Sequence, residues 1–224
     1  MNVRIHPSIL NADHDNMRSE FELIEAAGVE GIHLDIMDGR FVPPVTFEIE
    51  TIHRYTAICD LQFDAHLMIV QPEKYVDGYI DAGCSLVNFH LEVTADAPRL
   101  IDYLHAKGIQ AGVTINPNTP VDEMISVAHL VDLVLFMSVY PGYGGQRFIP
   151  DVLDKVRAFK RHCTEHELDP LIQIDGGINP VTAPLTAAAG VNTLVAGTFI
   201  FRSDDYAERI GDLRKSCADM EPDW

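Results

Sequence analysis

At 224 residues the chain is long enough to bury one large α/β core, and although 47% of it is hydrophobic, no apolar run approaches the length of a bilayer span, so no membrane-spanning helix is expected. Its 34 acidic against 16 basic side chains, a formal charge of −18, leave no broad basic surface and argue against nucleic acid or anionic lipid as a partner. Cys59, Cys84, Cys163 and Cys217 are far apart and form no C-x-x-C pair, and the amino terminus enters Val3-Arg4-Ile5 without a signal-type apolar segment, so reduced thiols and a soluble, cytoplasmic protein are expected.

From the amino end, a strand over residues 3–9 precedes a helix from Asp13, in which Phe21, Ile24 and Ala27 recur at helical spacing before Gly28. The second strand is Gly31-Ile32-His33-Leu34-Asp35-Ile36-Met37-Asp38-Gly39, an apolar run with polar residues set into it every second position. A helix over 46–57, a strand over 61–68, a helix over 72–82 opened by Pro72 and closed by Gly83, and a strand over 86–90 follow. Then come a helix over 98–107 ended by Gly108, a strand over 111–115, a helix opened by Pro120, a strand over 133–138 and a helix from Pro150 to about residue 167. The last units are a strand over 171–175 with a helix over 180–189, and a strand over 193–196 with a helix over 205–216. Eight strand-then-helix units averaging 28 residues, 224 divided by 8, predict an α/β protein: one parallel sheet closed into a single (β/α)8 TIM barrel over residues 1–224, with no linker or second domain.

Successive side chains of a strand point to opposite faces, so His33, Asp35 and Met37 share one face and Ile32, Leu34 and Ile36 the other. Phe63-Asp64-Ala65-His66-Leu67-Met68 repeats the device, and Leu171-Ile172-Gln173-Ile174-Asp175-Gly176-Gly177 ends in a carboxylate followed by two glycines. Alone, His-x-Asp on a strand is more often a buried hydrogen-bonded pair than a metal site. Three such strand ends in one chain favour the second reading: His33, Asp35, His66 and Asp175 offer two nitrogens and two oxygens to one divalent metal ion, for which zinc, manganese, iron and cobalt are all suitable.

Glycine clusters follow the sixth, seventh and eighth strands: Pro141-Gly142-Tyr143-Gly144-Gly145, Gly176-Gly177 and Gly197-Thr198. Each by itself is consistent with an ordinary turn. Three on one rim, at the strand ends where barrels commonly bind phosphate through loop amides and a short helix amino terminus, favour an anion cradle. The acidic surface does not oppose this, because its field is screened over roughly 8 Å and backbone N–H groups act at closer range.

Ile5-His6-Pro7-Ser8-Ile9-Leu10, the run from His33 through Asp38-Gly39-Arg40-Phe41-Val42-Pro43, Asp64-Ala65-His66-Leu67-Met68, residues 137–148 and Ile174-Asp175-Gly176-Gly177-Ile178-Asn179 closely resemble the ribulose-phosphate 3-epimerase family over nearly the whole chain. The resemblance implies a metal-dependent isomerase that inverts C3 of a ketose phosphate, D-ribulose 5-phosphate to D-xylulose 5-phosphate. It implies His33, Asp35, His66 and Asp175 as metal ligands, with Asp35 and Asp175 doubling as the acid/base pair that works through an enediolate. Ser8 matches the family's substrate-contacting serine, His66 also faces substrate, and Met37, Met68 and Met137 match the wall of its sugar site, although methionines elsewhere are commonly core filler. Gly142, Tyr143, Gly144, Gly145, Gly176, Gly177, Gly197 and Thr198 match its phosphate loops. The implied partner is thus a small-molecule ketose phosphate, and a homo-oligomer is compatible with the sequence.

Four positions depart from the family pattern: His6 stands where a small residue is usual, Asn11 where serine is common, Pro44 where asparagine usually follows the preceding proline, and Tyr140 where asparagine often precedes Pro141-Gly142. Pro44 and Tyr140 bear on which sugar is preferred, and D-allulose 6-phosphate is the alternative substrate. A decarboxylase of the orotidine-phosphate type would need a lysine in an Asp-x-Lys strand motif, and the corresponding stretch, Leu34-Asp35-Ile36, has none. A catalytically silent sugar-phosphate sensor would have little need of both aspartates and both histidines.

Overall fold

Period-two alternation decides which way each strand's side chains point, and the structure, a computed structural model describing residues 2–224, turns that alternation into an inside and an outside. Eight strands, β1 (Arg4–Pro7), β2 (Gly31–Met37), β3 (Gln62–Met68), β4 (Leu86–His90), β5 (Gln110–Ile115), β6 (Leu133–Met137), β7 (Leu171–Asp175) and β8 (Thr193–Ala196), pair in parallel in the order β1-β8-β7-β6-β5-β4-β3-β2. The remaining seam is joined by the Glu30 amide, which donates to the Ile5 carbonyl at 3.3 Å, and by a parallel bridge between Ser8 and His33. The sheet is therefore a TIM barrel.

Ile32, Leu34 and Ile36 of β2 and Phe63, Ala65 and Leu67 of β3 face the helices and belong to one continuous apolar shell. Burying each large aliphatic chain there contributes roughly 1.5–3 kcal/mol. The barrel interior is divided instead. Leu86, Leu133, Leu135, Met137 and Val139 fill one side, whereas His6, His33, Asp64, His66, Asn88 and Gln173, all fully buried, make the other side polar.

The helices are α1 (Met17–Ala26), α2 (Ile49–Thr56), α3 (Val76–Asp81), α4 (Ala97–Ala106), α5 (Val121–Ile125), α6 (Val152–Glu165), α7 (Ala183–Ala188), α8 (Thr198–Phe201) and α9 (Tyr206–Cys217). Phe21 and Ile24 of α1 are buried as their spacing predicts, together with Met17, while Ala27 is partly buried at the C-cap. Asp96 and Asp205 cap α4 and α9 by accepting from the amides of Arg99 and Glu208. Gly83 ends α3 at φ +98°, where a Cβ would lie 2.9 Å from Thr56 Oγ1, so glycine is required there. Among the described residues no helix is long and apolar enough to cross a membrane. All four cysteines are buried, and burial pushes the Cys59 and Cys84 thiols up to about 12.

Several element ends differ from those predicted, three of them because a side chain is used elsewhere. The first strand stops at Pro7 and the chain turns through one 3-10 turn, Ile9–Asn11. The first helix starts at Met17 instead of Asp13, because Asp13 accepts from the amide of Asp15 and the side chain of Asn16 in a turn of its own. The second starts at Ile49 instead of residue 46, because Thr46 is tied to β2: its hydroxyl donates to the Asp35 carbonyl and accepts from the Met37 amide. The third divides at Tyr75 into a 3-10 turn, Pro72–Lys74, and α3. The seventh begins at Ala183 instead of residue 180, since the Asn179 side chain accepts from the amides of Val181 and Thr182. The four-residue α8 is too short to leave a periodic signature.

Candidate active site

The register of β2 against β3 pairs His33 with Asp64, Asp35 with His66 and Met37 with Met68. The inward faces of both strands thereby become one surface. Asp175 joins it from the end of β7, where it is partly exposed at the mouth of the barrel. One donor atom from each of His33, Asp35, His66 and Asp175 can be chosen so that all four lie within 4.8 Å of one another.

The spacing can be tested against coordination chemistry. Donors about 2.1 Å from a tetrahedral ion stand about 3.4 Å apart. Here His33 Nε2 and His66 Nδ1 are 3.3 Å apart, and Asp35 Oδ1 lies 3.8 and 3.7 Å from them. The set fits a divalent ion in distance and in its mixture of imidazole and carboxylate.

Beneath it, Asp64 Oδ2 lies 2.9 Å from His33 Nδ1, and Asp64 also accepts from the side-chain amides of Asn88 and Gln173. A carboxylate surrounded by donors only accepts, so His33 Nδ1 carries a proton and its other nitrogen faces the donor cluster. His6 occupies this polar floor too. Its Nδ1 is 3.2 Å from Gln173 Nε2, and its Nε2, like Gln173 Oε1, is buried without a hydrogen-bond partner among the described residues.

The fields of these groups diverge. Burial alone would lower the His33 pKa, but the charge and hydrogen bond of Asp64, aided by Asp35 and Asp175, raise it to about 9. Burial opposes ionisation of Asp64 as well, yet the His33 ring holds its carboxyl below the usual range. Desolvation takes His66 down to about 4. Asp35 is desolvated too, but the His66 and His33 rings and the Ser8 hydroxyl, which donates to its Oδ2, keep it below the ordinary carboxylate value. Asp175 goes the other way: lost hydration and then the Asp35 charge raise it to about 7. Two carboxylates of one site pushed apart in this way are a recurrent mark of acid/base pairs.

This separation predicts a proton release. Both raised groups, His33 near 9 and Asp175 near 7, bind protons below those values and must lose them to ligate a cation. Metal affinity should therefore rise as pH rises through 7 and on toward 9. Titration calorimetry in buffers of different ionisation heat should find about two protons released at pH 6 and about one near pH 8. Release that does not vary with pH would contradict the assignment.

Met37, Met68 and Met137 are buried against the same cleft, which Ser8 also lines. Its far end is built from the glycine loops, and Gly142, Gly144, Gly145, Gly176, Gly177 and Gly197 all line it. At Gly176, φ +122°, a Cβ would lie 2.9 Å from the Val139 amide nitrogen; at Gly177, φ +66°, it would lie 2.8 Å from that of Phe148. Glycine is required at both by backbone conformation and by packing. Tyr143 adds to the wall although it is 68% exposed, and its carbonyl, with that of Tyr140, accepts from the Gln146 side chain. Thr198 opens α8, with Gly197 at its N-cap, and its hydroxyl donates to Asn11 Oδ1 at 3.1 Å.

The residues proposed as ligands, acid/base groups and substrate contacts thus line one cleft or the polar surface directly below it. Leu10, Val139, Gln146 and Ile178, which fall within the family motifs but are given no role there, also line it, as does Phe199 of α8, which carries no sequence signal. The role of Asp64 beside His33 was also missed; the cue was its place on the inner face of an Asp-x-His-x-Met strand. Tyr140 lies at the cleft, half-exposed, while Pro44 lies outside its lining and uses its carbonyl to accept from the Gly39 amide at 3.0 Å.

Residues 4–201 match the model of the ribulose-phosphate 3 epimerase family. The chain is 41% identical over 217 residues to a ribulose-phosphate 3-epimerase of Synechocystis sp., covering 96% of this chain and 94% of that one, and 40% identical over 215 residues to that of Bacillus subtilis, covering 96% and 99%. Among solved structures, a 3-hexulose-6-phosphate synthase from Salmonella typhimurium superposes with a TM-score of 0.71 at 15% identity, over 98% of this chain and 100% of that one, a likeness of fold alone. By the extent of the family match and of its relatives, this chain belongs to the ribulose-phosphate 3-epimerase family of isomerases.

Proposed function

We propose that the protein interconverts D-ribulose 5-phosphate and D-xylulose 5-phosphate by moving the C3 proton between Asp35 and Asp175. The observation that carries the reading is that four donors converge and the two carboxylates among them share one cleft with three glycine loops. A divalent ion held by His33, Asp35, His66 and Asp175 would supply a Lewis acid that polarises the C2 carbonyl and offsets the charge developing on its oxygen.

The protein's own groups do the rest. β2 and β7 stand three steps apart around the barrel, separated by β1 and β8, so their carboxylates approach a sugar lying across the mouth from different sides. One ionised aspartate takes the C3 proton and leaves an enediolate, and the other, protonated, returns a proton to the opposite face. The Ser8 hydroxyl orients Asp35, and the three methionines keep bulk water from quenching the enediolate. The glycine rim holds the phosphate by backbone amides, without a basic side chain.

Assaying metal-loaded protein on D-ribulose 5-phosphate beside D-allulose 6-phosphate tests the reading. Faster turnover of the pentulose supports it; preference for the hexulose transfers the activity to the longer sugar and implicates Tyr140, and turnover of neither leaves the sensor reading. The buried, weakly acidic thiols support a cytoplasmic protein.

The phosphate cradle has its own test. A Cβ on Gly144 would lie 3.0 Å from Asn11 Oδ1 and 3.4 Å from Thr198 Oγ1, so Gly144→Val fills the space between the loops. KM for the phosphorylated sugar should rise roughly 10- to 100-fold, the equivalent of one or two charge-assisted hydrogen bonds, with metal content unchanged. Equal turnover of the unphosphorylated ketose by the wild type would remove the cradle from the reading.

A further inference from the structure

We infer that His90 and Glu92 are positioning residues for the cation site, fixing through two hydrogen bonds which nitrogen of His66 carries its proton. His90 ends β4 and is fully buried; its Nε2 lies 3.0 Å from His66 Nε2, with the two rings within 26° of coplanar. On the other side of the ring, His90 Nδ1 lies 3.2 Å from Glu92 Oε2. The remaining Glu92 oxygen, Oε1, accepts from the Asn116 amide at 2.8 Å and from the Thr119 hydroxyl.

The polarity of this chain follows from what each group can do. An ionised carboxylate only accepts, so the proton between His90 and Glu92 sits on His90 Nδ1. A neutral His90 then presents a lone pair at Nε2, and the proton in the next bond must sit on His66 Nε2. His66 is left with a lone pair at Nδ1, the nitrogen that faces His33 Nε2 and Asp35 Oδ1. A ligand nitrogen must be unprotonated, so Glu92, two bonds away, sets the tautomer a ligand needs. His33 receives the same service directly from Asp64. The two outward protons are thus committed to Asp64 and His90, and the two inward nitrogens, 3.3 Å apart, are left to share a cation.

The inference rests on the reading of the four donors as a cation site, and the experiment separates the two. In Glu92→Gln the amide oxygen keeps the Asn116 and Thr119 donors, so the NH2 group faces His90 Nδ1. That reverses both bonds and puts the His66 proton on Nδ1. Zn²⁺ affinity, measured by chelator competition, should fall roughly 10- to 100-fold, and His90→Phe should match it. His90→Gln, whose carbonyl can accept from His66 and whose amide can donate to Glu92, should stay within about threefold of wild type. In metal-free protein above pH 9, where His33 no longer holds a second proton at Nε2, long-range ¹H–¹⁵N spectra should show the His66 proton on Nε2 in the wild type and on Nδ1 in Glu92→Gln. A merely structural role would lower thermal stability without moving the tautomer. The inference is overturned if wild-type His66 carries its proton on Nδ1, or if Glu92→Gln and His90→Phe bind Zn²⁺ as wild type does. A wild type that binds no Zn²⁺ while His66 shows the expected tautomer would instead fail the cation reading and leave the relay standing.

Discussion

Asp175→Asn protein that still holds its metal should lose roughly 10²- to 10⁴-fold in epimerisation and yet continue to exchange the C3 hydrogen of one epimer with D₂O. An amide cannot accept the proton that a carboxylate does, so one face of the sugar is left without its base. The other is still served by Asp35, whose Oδ2 remains bonded to Ser8. Asp35→Asn should show the opposite preference. Because both aspartates are also proposed ligands, metal is measured in each variant before exchange is followed by NMR. Metal-replete variants that exchange the same epimer, or that still interconvert the two at near the wild-type rate, would require another proton carrier.

Stripping the protein with a chelator should lower its activity by roughly 10³-fold, the rate equivalent of about 4 kcal/mol of charge stabilisation at the C2 oxygen. Zn²⁺, Mn²⁺, Fe²⁺ or Co²⁺ should restore it, because the donor set suits all four. The histidines separate ligation from folding. His33→Ala removes the charge partner of the fully buried Asp64 and should destabilise the protein by about 3–5 kcal/mol besides lowering bound metal. His66→Ala should lower bound metal with a smaller loss of stability, since Asp35, 3.7 Å from it, keeps the Ser8 hydroxyl and the His33 ring. Full activity in rigorously metal-free protein would eliminate the Lewis acid from the mechanism.

The outcome of these tests turns on features that the sequence carries to different extents. The alternation of His33, Asp35 and Met37 against Ile32, Leu34 and Ile36 is legible residue by residue, because the pleat of a strand is a property of the local backbone. Eight strand-then-helix units, the proline and glycine stops, and the polar residues at strand ends are local in the same sense, and from them the barrel and the four donors were expected. The family motifs added the reaction, which spacing alone would not have named. Contacts across strands are of another kind. That His33 meets Asp64, that Ser8 reaches Asp35, and that His66 bonds to His90 and through it to Glu92 depend on the register of one strand against the next. Register is set collectively, by closure of all eight strands and the packing of the helices around them, and a shift of one residue would turn every inward side chain outward. Thr46 shows the same boundary in a single residue. Its sequence fits the start of a helix, and its bonds to β2 decide otherwise, because a tertiary partner satisfied the hydroxyl that would have capped the turn.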